Sequence, residues 1–489
     1  MPQKPKSHTD LTRRELLGGA GALALSGIAS GANAGGLGTS PATALKPAGK
    51  SKQPNVLFII SDDLNMHLNC YGHSSVHSPN IDRLASMGLR FDRAYCQYPV
   101  CGPSRSSFLT GLRPDTVQVV DGETYFRDKC PNVVSLPQHF KLNGYFTARV
   151  IKVFHDARST PDDPKAWDVA IEPYRTKLGS EGRRQNYTPN IKGLALPPSV
   201  EAEGGDEDQV DGLGAVQAIH LLENRPDKPF FLAVGFRMPH IPWIAPKRYF
   251  DMYDPARVEL PEVRQDAWDH IPRAAIGIST FNYGMDDKTR REALCAYYAT
   301  VSFMDAQVGK LLDALKRLHI LDNTIIVFLS DNGWHVGEHG MWHKFTLFEE
   351  SARVPLIVCA PGMKSKGKAC EGLVEFVDIF PTLTDLCGLK PPDGLEGISM
   401  RPLLENPARP WKTAAFTQQA RNPIMGRSIR TERWRYTEWD EGRDGVELYD
   451  EQADPHEFAN LANDPEYAGR MGELQGMLRA GWRSALPKK

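Results

Sequence analysis

The sequence has little net charge, few cysteines for its length and no closely spaced cysteine pairs. Its 489 residues carry a formal net charge of −2, so we predict no nucleic-acid partner and no general attraction to anionic membranes. The eight cysteines include no C-x-x-C pair, which argues against a disulfide scaffold but leaves room for one or two bridges. The length suffices for a large core and more than one domain.

Beyond the N-terminal region, no segment is long and apolar enough to cross a bilayer. Arg13-Arg14 precede a Gly/Ala-rich stretch at 18–32, and Ala32-Asn33-Ala34 is a small-residue cleavage pattern. This arrangement resembles a bacterial twin-arginine signal peptide. We therefore expect residues 1–34 to be that peptide, the Tat translocase to be a partner, and the protein to be periplasmic or secreted. Its retention as a membrane anchor is the alternative. Residues 35–53 are typical of a flexible linker.

Two apolar runs organise the chain that follows the linker. They lie at 55–60 and 324–329, and a third run lies at 228–235. Continuous β-branched and aromatic runs of this length suit strands that are buried on both faces of a parallel sheet. Helix-like spacing at 78–88 and 301–319 indicates that helices alternate with the strands. The sequence therefore predicts an α/β fold with a large, mostly parallel central sheet flanked by helices.

The pattern changes toward the C-terminus. Short alternating stretches such as 427–431 and 434–439 favour an antiparallel sheet with one solvent-facing side, and a closing helix is predicted at about 465–485. We predict a catalytic domain at 54–405 and a smaller C-terminal α+β subdomain at 406–489.

Both of the first two strand runs end in oxygen-bearing side chains. Asp62 and Asp63 follow the first run, and Asp331 and Asn332 follow the second. Open α/β sheets place their sites at the carboxyl ends of strands, so these four side chains can meet there. Such a set of oxygen ligands favours a hard divalent cation, although each acid taken singly could instead cap a helix.

The segment Cys101–Gly111 reads Cys-Gly-Pro-Ser-Arg-Ser-Ser-Phe-Leu-Thr-Gly and places a cysteine at the start of a short predicted helix. Pro103 suits an early helical position, and free backbone N–H groups there favour an anion. The alternative interpretation is a buried structural cysteine beside a capping serine and a surface arginine.

These motifs resemble the type I, formylglycine-dependent sulfatases, and in particular their iduronate-2-sulfatase-like branch. The resemblance covers most of residues 54–460. Besides Cys101–Gly111 it rests on the runs 113–116, 152–155, 239–242, 330–340, 428–431, 435–437, 447–450 and 454–457. Asn332 departs from the iduronate-2-sulfatase pattern, which has histidine there, but its amide oxygen is a competent ligand.

The resemblance implies an alkaline-phosphatase-like sandwich and a cysteine, Cys101, that a formylglycine-generating enzyme or its equivalent oxidises to formylglycine. It implies calcium, with magnesium as a possible substitute, held by Asp62, Asp63, Asp331, Asn332 and the modified Cys101. The remaining implied catalytic residues are Arg105, Lys152, His155, His240 and Lys344. Arg105 and the cation would hold the hydrated aldehyde, Lys152 would steady the sulfate, and His155 would deprotonate the second hydroxyl. His240 and Lys344 would assist the leaving group.

The predicted function is therefore that of an exported sulfatase acting on sulfated carbohydrates, such as 2-O-sulfated uronates. Two alternatives stay open. A phosphatase or phosphodiesterase of the alkaline phosphatase superfamily would use similar metal ligands, but usually with Ser or Thr as nucleophile. A non-catalytic glycan-binding protein would leave the full set of acids and bases unexplained.

A zinc site formed by His335, His339 and His343 is disfavoured. Their four-residue spacing would align them on a helix, but Gly337 and Gly340 interrupt that segment.

Overall fold

The computed structural model describes residues 53–155, 162–173, 182–187, 198–264, 266–278 and 280–488. The predicted signal peptide at 1–34 and the linker up to residue 52 lie outside the described residues, so the export prediction stays a prediction. Within the described ranges, no helix has the length and apolar character that a membrane span requires.

The strands and helices alternate along most of the chain. The strands are β1 (Asn55–Asp62), β2 (Leu89–Phe91), β3 (Ala94–Tyr95), β4 (Phe146–Ile151), β5 (Val169–Ile171), β6 (Gly182–Gln185), β7 (Ser199–Ala202), β8 (Phe230–Pro239), β9 (Ile244–Pro246), β10 (Thr324–Ser330), β11 (Leu356–Cys359), β12 (Lys368–Cys370), β13 (Val374–Glu375), β14 (Ala415–Arg421), β15 (Ile424–Arg430), β16 (Trp434–Trp439) and β17 (Val446–Asp450). The α-helices are α1 (Pro79–Met87), α2 (Cys101–Thr110), α3 (Pro114–Val117), α4 (Phe126–Lys129), α5 (Leu136–Leu142), α6 (Val210–Glu223), α7 (Lys247–Phe250), α8 (Arg273–Ile276), α9 (Asp287–Arg317), α10 (Glu349–Ala352), α11 (Ile379–Leu386), α12 (Arg401–Glu405) and α13 (Ala468–Ala480).

An eight-stranded sheet with the order β12-β2-β11-β10-β1-β8-β4-β5 forms the centre of the fold. Its neighbouring strands pair in parallel, except that β11 runs antiparallel to β10 and β2. Asn55 lies opposite Thr324 and Ser61 opposite Ser330, so β1 and β10 end side by side. The predicted mostly parallel sheet is confirmed.

Both faces of this sheet are covered by helices. Leu57 and Ile59 of β1 belong to one hydrophobic core, which α1, α6 and α9 complete. Val56, Phe58 and Ile60 belong to a second core, which α2, α5 and α11 complete. Successive residues of a strand point to opposite faces, so a fully apolar strand is what a sheet between two helical layers requires.

Each predicted element of the catalytic domain has a counterpart, although the bounds differ. The strand predicted at 228–235 is β8, and the helix predicted at 78–88 is α1. The helix predicted at 301–319 is only the second half of α9, which begins at Asp287, where the side chain of Asp286 accepts a hydrogen bond from the Thr289 N–H. The first turns of α9 are rich in charged residues, which hid their helical periodicity.

The C-terminal strands β14–β17 form a four-stranded antiparallel sheet, and α13 falls within the predicted closing helix. Trp439 is buried against Met341, Leu347 and Phe348, and Trp434 packs beneath α13, so both tryptophans have packing roles. The predicted domain boundary between 405 and 406 stays a prediction.

The eight cysteines all lie within the described residues, and none of them is paired.

Candidate active site

The ends of β1 and β10 bring four oxygen-bearing side chains together. Asp62 is the last residue of β1, and Asp331 and Asn332 follow β10. The Asp63 N–H donates to Asp331 Oδ1 at 3.2 Å, and Asn332 Nδ2 donates to Asp63 Oδ1 at 2.7 Å. All four residues are buried. The parallel register of the two strands thus produces the cluster that the sequence predicted.

A glycine makes the turn after Asn332 possible. A Cβ atom at Gly333 would lie 1.9 Å from the carbonyl oxygen of Glu350, so no other residue fits without moving the backbone. The chain can therefore leave the sheet immediately after Asp331 and Asn332.

Cys101 is the first residue of α2, and its sulfur faces the carboxylate cluster. Its Sγ lies 3.1 Å from Asp62 Oδ1 and 2.6 Å from Lys344 Nζ. No side chain caps the start of this helix. The helix ends at Gly111, whose φ of 69° is in the left-handed region that glycine tolerates. The helix thus presents Cys101 beside both an acid and a cation.

Arg105 and Lys152 neutralise the acids from the opposite side. Arg105 is wholly buried; its Nε donates to Asp331 Oδ2 at 2.7 Å and its Nη1 to the Lys152 carbonyl oxygen at 2.6 Å. Lys152 Nζ donates to Asp62 Oδ2 at 2.6 Å. Buried charges are tolerated when they are paired and hydrogen-bonded, as these are.

The electrostatics of the site fix its protonation state. Burial alone would raise the pKa of Asp62, but the positive charges of Lys152, Arg105 and Lys344 hold it well below its usual value. Burial, together with Asp331 and Asp62, raises the pKa of the Cys101 thiol well above its ordinary value. A protonated thiol is a weak nucleophile, so this setting does not activate an unmodified cysteine.

The two histidines occupy different positions. His240 Nε2 lies 3.6 Å from Asp63 Oδ2, and about a third of its side chain (34%) is exposed, so it borders the opening of the site. His155 lies behind Cys101, next to Gly102, and its Nδ1 has no hydrogen-bond partner. Burial and the Lys152 cation lower the pKa of His155 to about 4. A neutral imidazole of this kind can accept a proton.

The donor atoms fit a divalent cation. Asp63 Oδ2 and Asn332 Oδ1 are buried without a hydrogen-bond partner. The ligand atoms of Asp62, Asp63, Cys101 and His240 lie within 4.8 Å of one another. Sequence reasoning did not place His240 in this set. Both carboxylate oxygens of Asp331 already accept bonds from protein donors, so its role as a ligand stays a prediction.

Several positioning residues were not predicted. Tyr297 of α9 donates its hydroxyl to the Asp63 carbonyl oxygen at 3.0 Å and accepts from the Asn65 N–H at 2.9 Å. Ser104 Oγ donates to the Asp331 carbonyl oxygen at 2.5 Å. Tyr297 lies in an apolar part of the helix, where a sequence pattern suggests core packing and gives no sign of this contact.

His335, His339 and His343 do not lie on one helix, because the segment forms an irregular loop with a single 3₁₀ turn at Glu338–Gly340. Among the described residues, no group of close ligand atoms contains more than one of the three. The disfavoured histidine zinc site is therefore not formed.

The chain is similar to known proteins over most of its length. The family model described as "Sulfatase" matches residues 54–389, and that described as "N-sulphoglucosamine sulphohydrolase, C-terminal" matches residues 337–482. The iduronate 2-sulfatase of Mus musculus is 34% identical and that of Homo sapiens 35% identical. The alignments cover 86% and 84% of this chain, and 93% and 92% of those proteins.

Solved structures show the same architecture. A protein in complex with its substrate D-glucosamine-2-N,6-O-disulfate has a TM-score of 0.72 and 25% identity, covering 89% of this chain and 98% of its own. The phosphonate monoester hydrolase of Agrobacterium radiobacter has a TM-score of 0.75 and 24% identity, covering 88% and 96%, and shows the fold alone. The predicted alkaline-phosphatase-like α/β fold is confirmed.

Proposed function

Since the chain belongs to the sulfatase family and is a sulfuric ester hydrolase, we propose that its substrate is a sulfated carbohydrate and that Cys101 acts after oxidation to formylglycine. The observation that carries this proposal is the position of Cys101. Its Sγ lies at the start of a helix, between the carboxylate of Asp62 and the ammonium of Lys344. A formylglycine at this position would lie among groups that bind hydroxyls and balance the charge of a sulfate.

Oxidation of Cys101 to formylglycine would replace a thiol that is a poor nucleophile in this site. The pKa of the Cys101 thiol is raised well above its usual value by burial and the neighbouring acids, so a thiolate nucleophile is disfavoured. The hydrated aldehyde of formylglycine supplies two hydroxyls on one carbon, the first to attack sulfur and the second to expel sulfate afterwards. Maturation then requires a formylglycine-generating enzyme or its equivalent as a partner.

Asp62, Asp63, Asp331 and Asn332 would hold the cation, for which we propose calcium, with magnesium as a substitute. Their oxygen atoms suit a hard cation, and the unpaired Asp63 Oδ2 and Asn332 Oδ1 are available to it. A bound cation would supply positive charge beside the nucleophile and the sulfate.

The chain's own residues have distinct roles in the proposed reaction. Lys152 would steady the sulfate and Lys344 would assist the leaving group, since both ammonium groups are buried among the acids. His240, at the opening, would give a proton to the sugar oxygen as its bond to sulfur breaks. His155 would take the proton of the second hydroxyl as sulfate leaves. Arg105 holds the Asp331 carboxylate in place.

We further propose that the sugar is a 2-O-sulfated uronate. Two buried lysines and two histidines surround Cys101, and such a site can accept a sulfate beside a carboxylate. The likeness to the iduronate 2-sulfatases supports the same substrate class. A neutral galactose or fucose sulfate lacks the second negative charge that such a site could bind.

Export through the twin-arginine pathway to the periplasm or the medium completes the proposal. Its support is the sequence alone: the Arg13-Arg14 pair, the Gly/Ala-rich stretch and the Ala32-Asn33-Ala34 pattern.

The substrate proposal is tested by comparing kcat/KM for a terminal 2-O-sulfated uronate, a 6-O-sulfated amino sugar, an aryl sulfate, an aryl phosphate and a phosphodiester. We expect the uronate sulfate to be hydrolysed most efficiently and both phosphorus esters poorly. Preference for a neutral sugar sulfate would overturn the substrate class and leave the sulfatase activity intact. Preference for the phosphodiester would instead favour the alternative of a phosphodiesterase.

A further inference from the structure

A second cluster of metal-ligating side chains lies outside the site described above. It consists of His339, Glu350 and Glu457, whose ligand atoms all lie within 4.8 Å of one another. His339 Nε2 is 4.0 Å from Glu350 Oε2. The three residues come from separate parts of the chain: the loop after β10, helix α10 and the segment after β17. None of them takes part in the proposed reaction.

His339 has an unusual environment for a histidine. Only 1% of it is exposed, and neither ring nitrogen has a hydrogen-bond partner. A buried polar group without a partner destabilises the folded protein, so buried histidines normally make at least one hydrogen bond. The ring of Phe348 stacks on His339 at a centroid distance of 4.3 Å and holds its orientation. The imidazole therefore keeps a lone pair available to a ligand that the protein itself does not supply.

The surrounding charges are not balanced by the protein alone. The carboxylates of this region belong to Glu349, Glu350, Glu451 and Glu457, and the guanidinium groups to Arg353, Arg430 and Arg435. If these four acids are ionised, they outnumber the three cations by one, and Glu338 adds a further carboxylate beside Glu350. Within the described residues, Glu350 forms no ion pair with lysine or arginine, and its Oε2 accepts no hydrogen bond. Glu457 is already engaged by the protein, since its Oε1 lies 2.7 Å from Arg435 Nε and its Oε2 accepts a hydrogen bond from the Glu349 N–H at 2.8 Å, but each carboxylate oxygen has a second lone pair for a metal ion.

We propose that His339, Glu350 and Glu457 bind a divalent transition-metal ion, and that zinc is the ion best suited to them. One imidazole nitrogen and two carboxylates form a donor set that zinc accepts, whereas calcium prefers oxygen ligands throughout. Ligand atoms bound to one zinc ion lie about 3–3.5 Å apart, so the three side chains would close by about 1 Å.

A metal ion can reach this cluster through a cavity. A cavity of about 450 Å³ is lined by Glu350 together with His67, His73 and Glu338, and Glu350 keeps 15% of its side chain exposed.

An ion bound between His339 and Glu457 joins the loop that follows the active-site acids to the segment that follows the C-terminal sheet. Its role is therefore to hold that loop against the C-terminal part of the chain.

The test measures zinc bound per chain by elemental analysis, on tag-free protein dialysed against buffered zinc. A Cys101→Ala background and excess calcium keep zinc from the active-site cysteine. We expect about one zinc per chain in this parent, and below about a fifth of that in Glu350→Gln and Glu457→Gln. Glu262→Gln is the matched control, since Glu262 is exposed on the same cavity but lies outside the cluster, and it should keep the full zinc content.

Folding of each variant is checked by circular dichroism. If Glu457→Gln does not fold, Glu350→Gln still decides the question, because Glu350 is only partly buried. A thermal midpoint that rises with zinc in the parent, but not in Glu350→Gln, would support the site. A parent that binds almost no zinc, or a Glu350→Gln variant that binds as much as the parent, would overturn the proposal. A parent that binds almost no zinc would indicate that the glutamates of the cluster are protonated and bind no metal ion.

Discussion

Arg435 is expected to be the most sensitive residue of the contact between the C-terminal sheet and the rest of the protein. It is 1% exposed, and its guanidinium contacts the carboxylates of Glu349, Glu451 and Glu457, with Nε 2.7 Å from Glu457 Oε1. Replacing it with Met keeps most of the side-chain volume but leaves buried carboxylates without their cation. Breaking a buried ion pair by removing one partner costs about 3–5 kcal/mol of unfolding free energy.

Arg433 provides the matched control two residues earlier. Its side chain is 50% exposed and pairs with Asp450 on the neighbouring strand β17. Solvent screens such an exposed pair, so Arg433→Met should change stability far less than Arg435→Met does. The two variants should therefore differ by most of the stability loss expected for Arg435→Met.

Urea unfolding of the wild-type protein, Arg435→Met and Arg433→Met in one buffer measures this difference. The signal can be the fluorescence of the tryptophans, since Trp439 is packed at the contact with Met341 and Phe348. Equal stability losses in the two variants would refute the view that burial of the Arg435 network determines its contribution.

The remaining predictions concern chemistry, export and pH. Lys344→Met should lower kcat by about 10²–10³-fold, because it removes a buried cation beside the reacting group. Lys368→Met, on the exposed edge strand β12, should leave kcat unchanged. Steady-state kinetics on a sulfate ester measures both effects. Arg13→Lys combined with Arg14→Lys should leave the protein in the cytoplasm, and cell fractionation that finds normal export would exclude the twin-arginine pathway. Burial would raise the pKa of Glu375, but two neighbouring cations lower it to about 2, below the unfolded value of about 4.3. Its contribution to stability is therefore present above about pH 4.5 and lost as the pH falls toward 2, so Glu375→Gln should flatten the loss of unfolding free energy over that range.

The central sheet could be predicted because the sequence of each main strand is itself recognisable as that of a buried strand. In β1 every residue is buried, so an unbroken apolar run was sufficient to identify the strand, and the acids that follow it were found at the sheet edge. Short strands such as β2 and β12 have only three residues each, and their pairing with distant segments determines them more than their composition does.

The active site could be predicted only in part, for a physical reason. Cys101, Arg105 and the four acid or amide side chains sit in recognisable local motifs. The contact of Tyr297 with the Asp63 backbone, and that of His240 with the Asp63 carboxylate, depend on how distant elements pack. The buried network around Arg435 was likewise unforeseen, because hydropathy patterns place charged residues at the surface unless their partners are known.

The central claim is that a formylglycine at Cys101 performs the sulfatase reaction. The most direct measurement is mass spectrometry of the peptide containing Cys101, taken from the same natively produced preparation whose sulfatase activity is assayed. The account predicts that activity rises in proportion to the fraction of Cys101 recovered as the aldehyde, and that Cys101→Ala is inactive. Full sulfatase activity in a preparation whose Cys101 is wholly a thiol would contradict it.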